Sequence, residues 1–541
     1  MKANELKNRW FGVLFALLLS ASITVGRKIV FSGDVADGKE ANYLKPMNWM
    51  DLLIFILLAT AIYFAIMLIS EYHQRLLDIL FKGHRFSAHG KYQTLIISVL
   101  LLAAWSPYLL SLAPGSVTGD TMSSIWQVFE DSVELNNHMP VLYTLFLGGL
   151  IKLGLAVRGT FNAGIYFYTF IQTAIMIATI VSLVRYLIER ETPAWMVVVT
   201  MAWFMFMPLF PDYALVLWKD PIFSCALIWI TILIARLVED HALISRRSWV
   251  WKFSLACLVA AFTRNNGIYV VIALLICVIL IVHLYSRRLI LSAICICCIY
   301  YGITGPVYSM FGIENEFAES VGIELQSAAA VINEGGVLSE SDEEVLYTLL
   351  PEENWKEDYE PCLVDSIKWD SAFNQEYLEA NKRTFLKTVL HVVSENPGIC
   401  LKQYVMSTFG YWKIGVQNDY GYIDTEFQEY YGMHRTDWFA KLFGTSIQSE
   451  VSGFRVYIGT GTLFWLIAAG MMILVMDRRR RHGWLICIPA MAVFLTVMIA
   501  APVSFSLRYV YVFALGLPLY LILPLLQCRT SEVQQKEREQ S

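Results

Sequence analysis

Residues 93–120 read QTLIISVLLLAAWSPYLLSLAPGSVTGD, an apolar run that stops at Pro114 and Gly115 and closes on Asp120. The apolar part, 93–112, has about the ~20 residues that a helix needs to cross a lipid bilayer. Pro and Gly interrupt such a helix, so the chain should leave the bilayer at this point. The stretch therefore predicts a membrane-spanning helix that delivers a carboxylate to the membrane surface.

Long apolar runs recur through the whole chain. Of its 541 residues, 57% are hydrophobic and 16% are charged, whereas roughly 25% are charged in soluble proteins. The pattern predicts an all-α polytopic membrane protein with about 12–13 transmembrane helices, and it gives no support for nucleic-acid binding because no large basic domain is present. The thirteen apolar segments lie near residues 9–26, 50–70, 93–112, 140–156, 164–187, 194–210, 221–238, 248–263, 268–285, 289–309, 457–476, 484–501 and 508–527.

Lys and Arg residues in the short loops predict the orientation, because they favour the cytoplasmic side. The stretch 310–456 then lies outside, and it holds 25 of the 46 acidic residues against 10 basic ones. Residues 113–139 and 211–220 should also lie outside, so the three apolar segments between them cannot all cross. The shortest, 140–156, is predicted to be partial or re-entrant, which leaves twelve crossings with both termini inside. The basic clusters are the N-terminus, 71–92, 185–190, 246–252, 287–288 and 477–481.

The apolar pattern is broken at the outer face in four places, and the first break carries Asp120. Residues 121–134 after it read as an amphipathic helix on the membrane surface. The chain returns to the membrane at Asn136-Asn137-His138-Met139-Pro140, so a carboxylate and an imidazole bracket one interfacial helix. The alternative is that Asp120 only caps this helix and that His138 is an ordinary surface residue.

The other three breaks place charged side chains where apolar segments begin or end. Charges at that depth are costly and are usually paired or functional. Arg suits phosphate because its planar fork donates two parallel hydrogen bonds. The alternatives are an ion pair that caps a helix and Arg side chains that anchor to lipid headgroups. The breaks are Leu217-Trp-Lys219-Asp220-Pro221, Thr263-Arg264-Asn265-Asn266-Gly267 and Ser504-Phe-Ser-Leu-Arg508-Tyr509.

The order of these motifs resembles the GT-C superfamily of polytopic glycosyltransferases. PGSVTGD resembles the acidic first outer loop of that superfamily, and NNHMP is similar to the His-Pro return of protein O-mannosyltransferases and aminoarabinose transferases. The segments WKDPIFS and TRNNGIYV resemble a group of large uncharacterised GT-C-like membrane proteins of Gram-positive bacteria. In that comparison 93–309 forms the transmembrane core with the first outer loop 113–139. The flanking units are 1–92 (a transmembrane pair and cytoplasmic loop), 310–456 (an extracytoplasmic acidic, mainly α domain), 457–527 (C-terminal transmembrane helices) and 528–541 (a cytoplasmic tail).

The resemblance implies transfer of a sugar, with inversion, from a polyprenyl-phosphate donor at the outer face of the cell membrane. Asp120 would be the general base on an acceptor glycan, protein or envelope polymer. It implies no assigned metal ligands, although a divalent cation shared by Asp120 and Asp220 stays open. The rival class is a lipid or polysaccharide transporter or flippase, and a third is a non-catalytic anchoring protein. The substrate-binding residues would be His138, Lys219, Asp220, Arg264, Asn265, Arg508 and Tyr509.

The acidic region 310–456 is predicted to recognise the acceptor. Residues 371–395 read as one amphipathic helix that ends at Asn396-Pro397. Aromatic residues are dense in 404–439, where they suit sugar stacking and equally ordinary core packing. The two cysteines of the region, Cys362 and Cys400, form a disulfide if the compartment is oxidising.

Overall fold

A computed structural model describes residues 2–88, 90–313, 316–476, 482–501 and 503–540, with backbone alone for 2–9 and 530–540. Within these ranges the only strands are β1 (Ile29–Val30) and β2 (Tyr43–Leu44), which pair antiparallel. Everything else of regular structure is helical. The predicted basic cluster 477–481 lies outside the described residues.

The helices divide into a membrane bundle and a set of shorter helices from the acidic region. The bundle and its connections contain α1 (Lys2–Gly26), α2 (Gly38–Ala41), α3 (Trp49–Leu80), α4 (Gln93–Ser111), α5 (Gly119–Phe129), α6 (Val141–Arg158), α7 (Phe161–Glu189), α8 (Ala194–Phe206), α9 (Leu209–Leu215), α10 (Asp220–Glu239), α11 (Arg247–Thr263), α12 (Gly267–Ile276), α13 (Arg287–Gly302) and α14 (Tyr308–Met310). The acidic region contributes α15 (Gly322–Glu334), α16 (Glu340–Leu349), α17 (Glu352–Glu357), α18 (Asp365–Lys368), α19 (Gln375–Ala380), α20 (Lys382–Glu395), α21 (Pro397–Thr408), α22 (Trp438–Phe443) and α23 (Gln448–Gly453). The chain closes with α24 (Thr460–Met476), α25 (Ile488–Ile499) and α26 (Tyr511–Gln540).

The apolar helices confirm an all-α membrane protein. Seven helices are long and apolar enough to cross a bilayer, and α8 with α9, bent by 51°, makes an eighth if the pair is one span. The shorter apolar helices are Trp10–Gly26, Gly267–Ile281, Thr460–Met476 and Gly483–Ile499. Each of the thirteen predicted segments is helical, although the segment near 194–210 is broken between α8 and α9.

Helix α10 is at the centre of the bundle. Almost every residue from Asp220 to Val238 is buried, whereas the longer α3 buries only four of its residues. The two sequences differ little in apolar content, so the packing of neighbours decides which helix faces lipid. Pro221 in the first turn of α10 removes no helical hydrogen bond at that position, so it fits the start of the helix.

Helix α6, which contains the predicted partial segment, is one continuous helix long enough to cross a bilayer. Both its ends nevertheless lie beside residues of the acidic region. Val141 at one end packs with Ile313. At the other end the turn into α7 places Phe161 in a stacked contact with Tyr431. Both ends of α6 thus contact the acidic region, and the partial or re-entrant character of this segment stays a prediction.

Two names are used below for the ends of the bundle. The site face is the end that carries residues 310–456. The basic face is the opposite end, where α7 and α10 finish with Arg190 paired to Glu239. The prediction that the site face lies outside the cell stays a prediction.

The acidic region has its own apolar core, built around the fully buried Trp355. The predicted single helix over 371–395 is wrong, because the chain forms two helices, α19 and α20, that meet at Asn381. The disulfide is not formed: Cys362 and Cys400 are both free, and they lie in separate apolar clusters.

Candidate functional site

The loop after α4 is held between two other parts of the chain. Backbone hydrogen bonds join Ser116 to Leu215 and Leu217 on one side, and Val117 to Glu426 and Gln428 on the other. Gly115 precedes them with a φ of +151°, a conformation that side-chain-bearing residues rarely adopt. These backbone hydrogen bonds fix the position of the loop from which α5 begins. The site-face loop and the acidic region therefore form one structure.

Helix α5 begins two residues before the predicted start at 121 and ends at Phe129, earlier than expected. Thr118 is its N-cap residue, and Asp120 lies in its first turn. The reading of Asp120 as only a helix cap is therefore wrong. Its carboxylate instead forms an ion pair outside the helix, with Arg508, at 2.5 Å.

A cavity of about 600 Å³ opens at this place on the site face. It lies between α5, the turn before α10, the turn before α12, the entry to the last helix and the acidic region. Seven of the eight predicted site residues line it, although they come from five separate segments: Asp120, His138, Lys219, Arg264, Asn265, Arg508 and Tyr509.

Asp220, the eighth predicted residue, lies behind the cavity wall rather than in it. Its side chain is only 1% exposed. One oxygen accepts from Arg508 Nε at 2.8 Å, and the other lies 3.6 Å from Arg264 Nη1. The predicted role of Asp220 as a direct substrate ligand is thus corrected, because its position lets it orient two cations instead.

The two Arg side chains are held on several sides. The Arg508 guanidinium links the two carboxylates, and it lies over the Trp218 ring at 4.4 Å. Arg264 Nη1 donates to the Tyr509 carbonyl at 2.6 Å, and its guanidinium lies 4.8 Å from the Tyr509 ring centre. Both side chains are about one-eighth exposed, so the fixed guanidinium groups still reach the cavity.

The part of the cavity beside Asp120 carries an excess of positive charge, although carboxylates outnumber cations six to four over the whole wall. Burial by itself raises the pKa of Asp120, but Arg508 and then Lys219 outweigh it and bring the pKa down to about 2. Burial, together with Arg508, lowers the pKa of Lys219 to about 8. At neutral pH three cations thus face two carboxylates here, since Asp220 adds the second negative charge.

His138 lies at the rim of the cavity, where it contacts the acidic region. Its Nδ1 is 3.0 Å from Glu316 and 3.9 Å from Glu319, and its ring meets Trp369 edge-on. The ligand atoms of His138, Glu316 and Glu319 lie within 4.8 Å of one another, so this group could hold a metal ion. Lys368 Nζ lies 2.7 Å from Glu319 and supplies a positive charge of its own.

The open expectation of a cation between Asp120 and Asp220 does not fit the structure. The two carboxylates do converge, but the guanidinium of Arg508 bonds to both.

Asn265 also has a defined partner, since its amide donates to the Asn137 carbonyl at 2.8 Å. That hydrogen bond joins the Arg264 turn to the loop of His138.

Sequence reasoning missed the part of the cavity wall that the acidic region supplies. Lys368 is nearly buried and pairs with Glu319 and with Asp365 at 2.9 Å. Tyr420 donates to Asp365 at 3.3 Å. The Lys368–Asp365 pair is local, but no local spacing could have found the contacts of Lys368 with Glu319 and of Tyr420 with Asp365, because each joins segments far apart in the chain. The further wall residues include Glu319, Asp365, Lys368, Trp369, Asp419, Tyr420 and Asp424.

The fold and the cavity define a class: a mainly α-helical membrane protein with a cavity of many charged side chains at one face. Within that class the chain belongs to a family of unknown function (DUF6020), whose model matches residues 125–540. The match includes every predicted site residue except Asp120. No curated protein and no solved structure matches the chain.

Proposed function

We propose that the chain is a membrane glycosyltransferase of GT-C type that moves a sugar from a polyprenyl-phosphate donor to an acceptor at the site face. The single observation that carries the proposal is the convergence of Arg264, Arg508 and Lys219 on the cavity that Asp120 also lines. Fixed cations beside a carboxylate are what a reaction needs when it expels a phosphate and removes a proton. The site face would be extracytoplasmic.

The cations supply the phosphate site. Arg264 and Arg508 are pre-oriented by Asp220, so they need little rearrangement to receive an oxyanion. Lys219 adds a third positive charge from the turn before α10. The polyprenyl chain would remain among the apolar helices while its phosphate enters the cavity from the membrane surface.

The carboxylate supplies the base, provided that its ion pair opens. With its pKa held near 2 by Arg508, Asp120 is a poor base in the empty site. A donor phosphate competes for the same guanidinium, and loosening the pair raises the Asp120 pKa. The acceptor oxygen then bonds to the anomeric carbon and the bond from that carbon to the phosphate oxygen breaks. The acceptor proton goes to Asp120, and polyprenyl phosphate leaves as an anion.

The acidic region supplies the acceptor side of the cavity. Trp369 and Tyr420 also line the cavity, and aromatic faces suit sugar rings. His138 lies between the two sides beside Trp369. We propose that these side chains orient the sugar and the acceptor, whose identity they do not specify.

The test uses the full chain in nanodiscs with synthetic polyprenyl-phosphate monosaccharides. Arg264→Ala should weaken donor binding by about 10- to 100-fold, since a charge-assisted hydrogen bond contributes about 1.5–3 kcal/mol. Asp120→Asn should bind the donor at least as well as the unmodified chain and release polyprenyl phosphate about 10²–10⁴-fold more slowly. The matched control is Arg455→Ala, a site-face cation that does not line the cavity.

Two outcomes would overturn the proposal. One is unchanged release of polyprenyl phosphate by a folded Asp120→Asn protein. The other is movement of the intact donor between leaflets in proteoliposomes without cleavage, which is the behaviour of a flippase. An absence of binding to every carrier lipid tested would favour the anchoring protein.

A further inference from the structure

A second cavity system lies on the lipid-facing side of the bundle. The chain groove is a cavity of about 660 Å³ between α4 and α7. Along α7 it runs from Tyr166 to Arg185, which at about 1.5 Å per residue is close to the ~30 Å hydrocarbon core. Its lining is mostly apolar or small, and includes Leu102, Leu109, Ala174, Ile177, Ala178 and Val181.

At the basic face the groove joins a larger cavity of about 830 Å³, the basic cavity. The two share Ser182, Arg185 and Trp229 in their walls. Five cationic and three anionic side chains line the basic cavity, so it carries an excess of positive charge. They are Arg185, Arg190, Arg236, Arg246 and Lys252 against Glu189, Glu239 and Asp240.

Three of these cations are already paired with the three carboxylates. The pairs are Arg190 with Glu239, Arg236 with Glu189 at 2.6 Å and Arg246 with Asp240 at 3.5 Å.

The other two cations make up the excess. Among the residues that the structure describes, Arg185 and Lys252 have no carboxylate partner. Arg185 donates only to the Thr94 hydroxyl, at 3.1 Å. Arg185 lies where the apolar groove meets the polar cavity, and Lys252 lines the polar cavity, so both unneutralised cations border the same cavity.

We propose that the chain groove and basic cavity together bind an anionic phospholipid from the leaflet at the basic face. Its phosphate lies between Arg185 and Lys252, and one acyl chain occupies the groove along α7. A phospholipid fits because it combines an anionic phosphate with an acyl chain that can lie along an apolar groove. The proposal does not rest on the proposed transferase activity, since neither the chain groove nor the basic cavity shares a lining residue with the cavity that Asp120 lines.

The acyl chain of the bound lipid would fill the space between α4 and α7 and contact both helices. At the other end of the groove, Thr169 on α7 donates to the Pro114 carbonyl at 2.8 Å. Pro114 belongs to the loop that leads to Asp120. Lipid occupancy therefore stabilises the helix pair from which that loop emerges.

Native mass spectrometry of the full chain, with phosphatidylglycerol and phosphatidylcholine as matched probes, tests the proposal. Phosphatidylglycerol should remain bound at energies that remove phosphatidylcholine. Arg185→Ala with Lys252→Ala should reduce its retention about tenfold, and Arg185→Lys with Lys252→Arg should restore most of it. Ala174→Leu with Ala178→Leu, which fills the groove and keeps the charges, should also reduce retention.

The control is Arg287→Ala, a basic-face cation outside the cavity, which should retain phosphatidylglycerol like the unmodified chain. Equal retention of both lipids, or a loss in the control as large as in the double variant, would overturn the proposal. Competition by inorganic phosphate together with no effect of the groove variant would also overturn it. That outcome would indicate a free anion rather than a lipid.

Discussion

Asp120 and Asp220 both bond to Arg508, yet they differ in burial and therefore in what they contribute. Asp220 is 1% exposed and serves two guanidinium groups, whereas Asp120 is 37% exposed and serves one. Removing one partner of a buried ion pair costs about 3–5 kcal/mol, while exposed pairs are worth about 0–1 kcal/mol. The buried carboxylate should matter more for stability, and the exposed one more for chemistry.

That contrast gives a prediction for a matched pair of variants. Asp220→Asn should lower the free energy of unfolding by about 3 kcal/mol, because two nearly buried cations lose their shared counter-ion. Asp120→Asn should lower it by less than about 1 kcal/mol. Denaturation in nanodiscs measures both. Equal losses in the two variants would contradict the assignment of Asp220 as the anchor of Arg264 and Arg508.

Lys219 predicts a pH dependence of anion binding. Burial lowers its pKa to about 8, so below that pH the side chain is charged, and as pH rises through 8 the charge is lost. Affinity for the polyprenyl-phosphate donor should therefore decline between about pH 7 and pH 9. Lys219→Arg keeps its charge throughout and should flatten the profile. A profile identical in both proteins would exclude Lys219 from the phosphate site.

At the scale of elements, the crossing of α6 and α7 depends on close backbone contact. A methyl group at Gly154 would overlap the backbone of Gly164, whereas one at Gly149 would meet open space. Gly154→Ala should cost about 1–3 kcal/mol of stability because the helices must separate. Gly149→Ala is the control and should be neutral or stabilise by up to about 1 kcal/mol. Thermal unfolding distinguishes the two, and similar shifts would argue against the observed crossing.

Helices were predictable from the sequence where a local pattern of apolar residues is enough to specify them. Each of the thirteen apolar runs predicted helical structure that the described residues show, because a helix satisfies its own backbone hydrogen bonds inside a bilayer. The break at Asn381 was not predictable from periodicity, since the apolar spacing of 371–395 continues across it. The wall that Lys368 and Trp369 form was also out of reach, because it depends on how the acidic region docks onto the site face.

At the scale of the whole molecule, the position of α6 predicts a labelling pattern. Both its ends lie at the site face, so single cysteines introduced at Asp131 and Arg158 should react with an impermeant maleimide added to that side. A cysteine at Arg287, on the basic face, should react only from the other side. The unmodified chain has ten free cysteines of its own, so its labelling is measured as the background and subtracted. Reaction of the Arg158 variant from the basic face would show that α6 crosses.

The convergence of the site residues is a property of the whole chain. The sequence predicted which residues form the site, because their polar motifs interrupt apolar runs at the site face. It did not predict their mutual distances, because Arg508 meets Asp120 and Asp220 only through the packing of α10 against the last helix. Sequence reasoning therefore found seven residues of the cavity wall and misjudged the one that lies behind it.

The pairing of Arg508 with Asp220 also has a consequence for biosynthesis. Asp220 emerges from the ribosome long before Arg508, which follows it by 288 residues in the chain. Until Arg508 is in place, the Asp220 carboxylate at the start of α10 has Lys219 and Arg264 as its cationic neighbours. A chain truncated before Arg508 would keep the Asp220 carboxylate without its partner at 2.8 Å. Because removing one partner of a buried ion pair is costly, we expect the start of α10 to be less stable in such a chain.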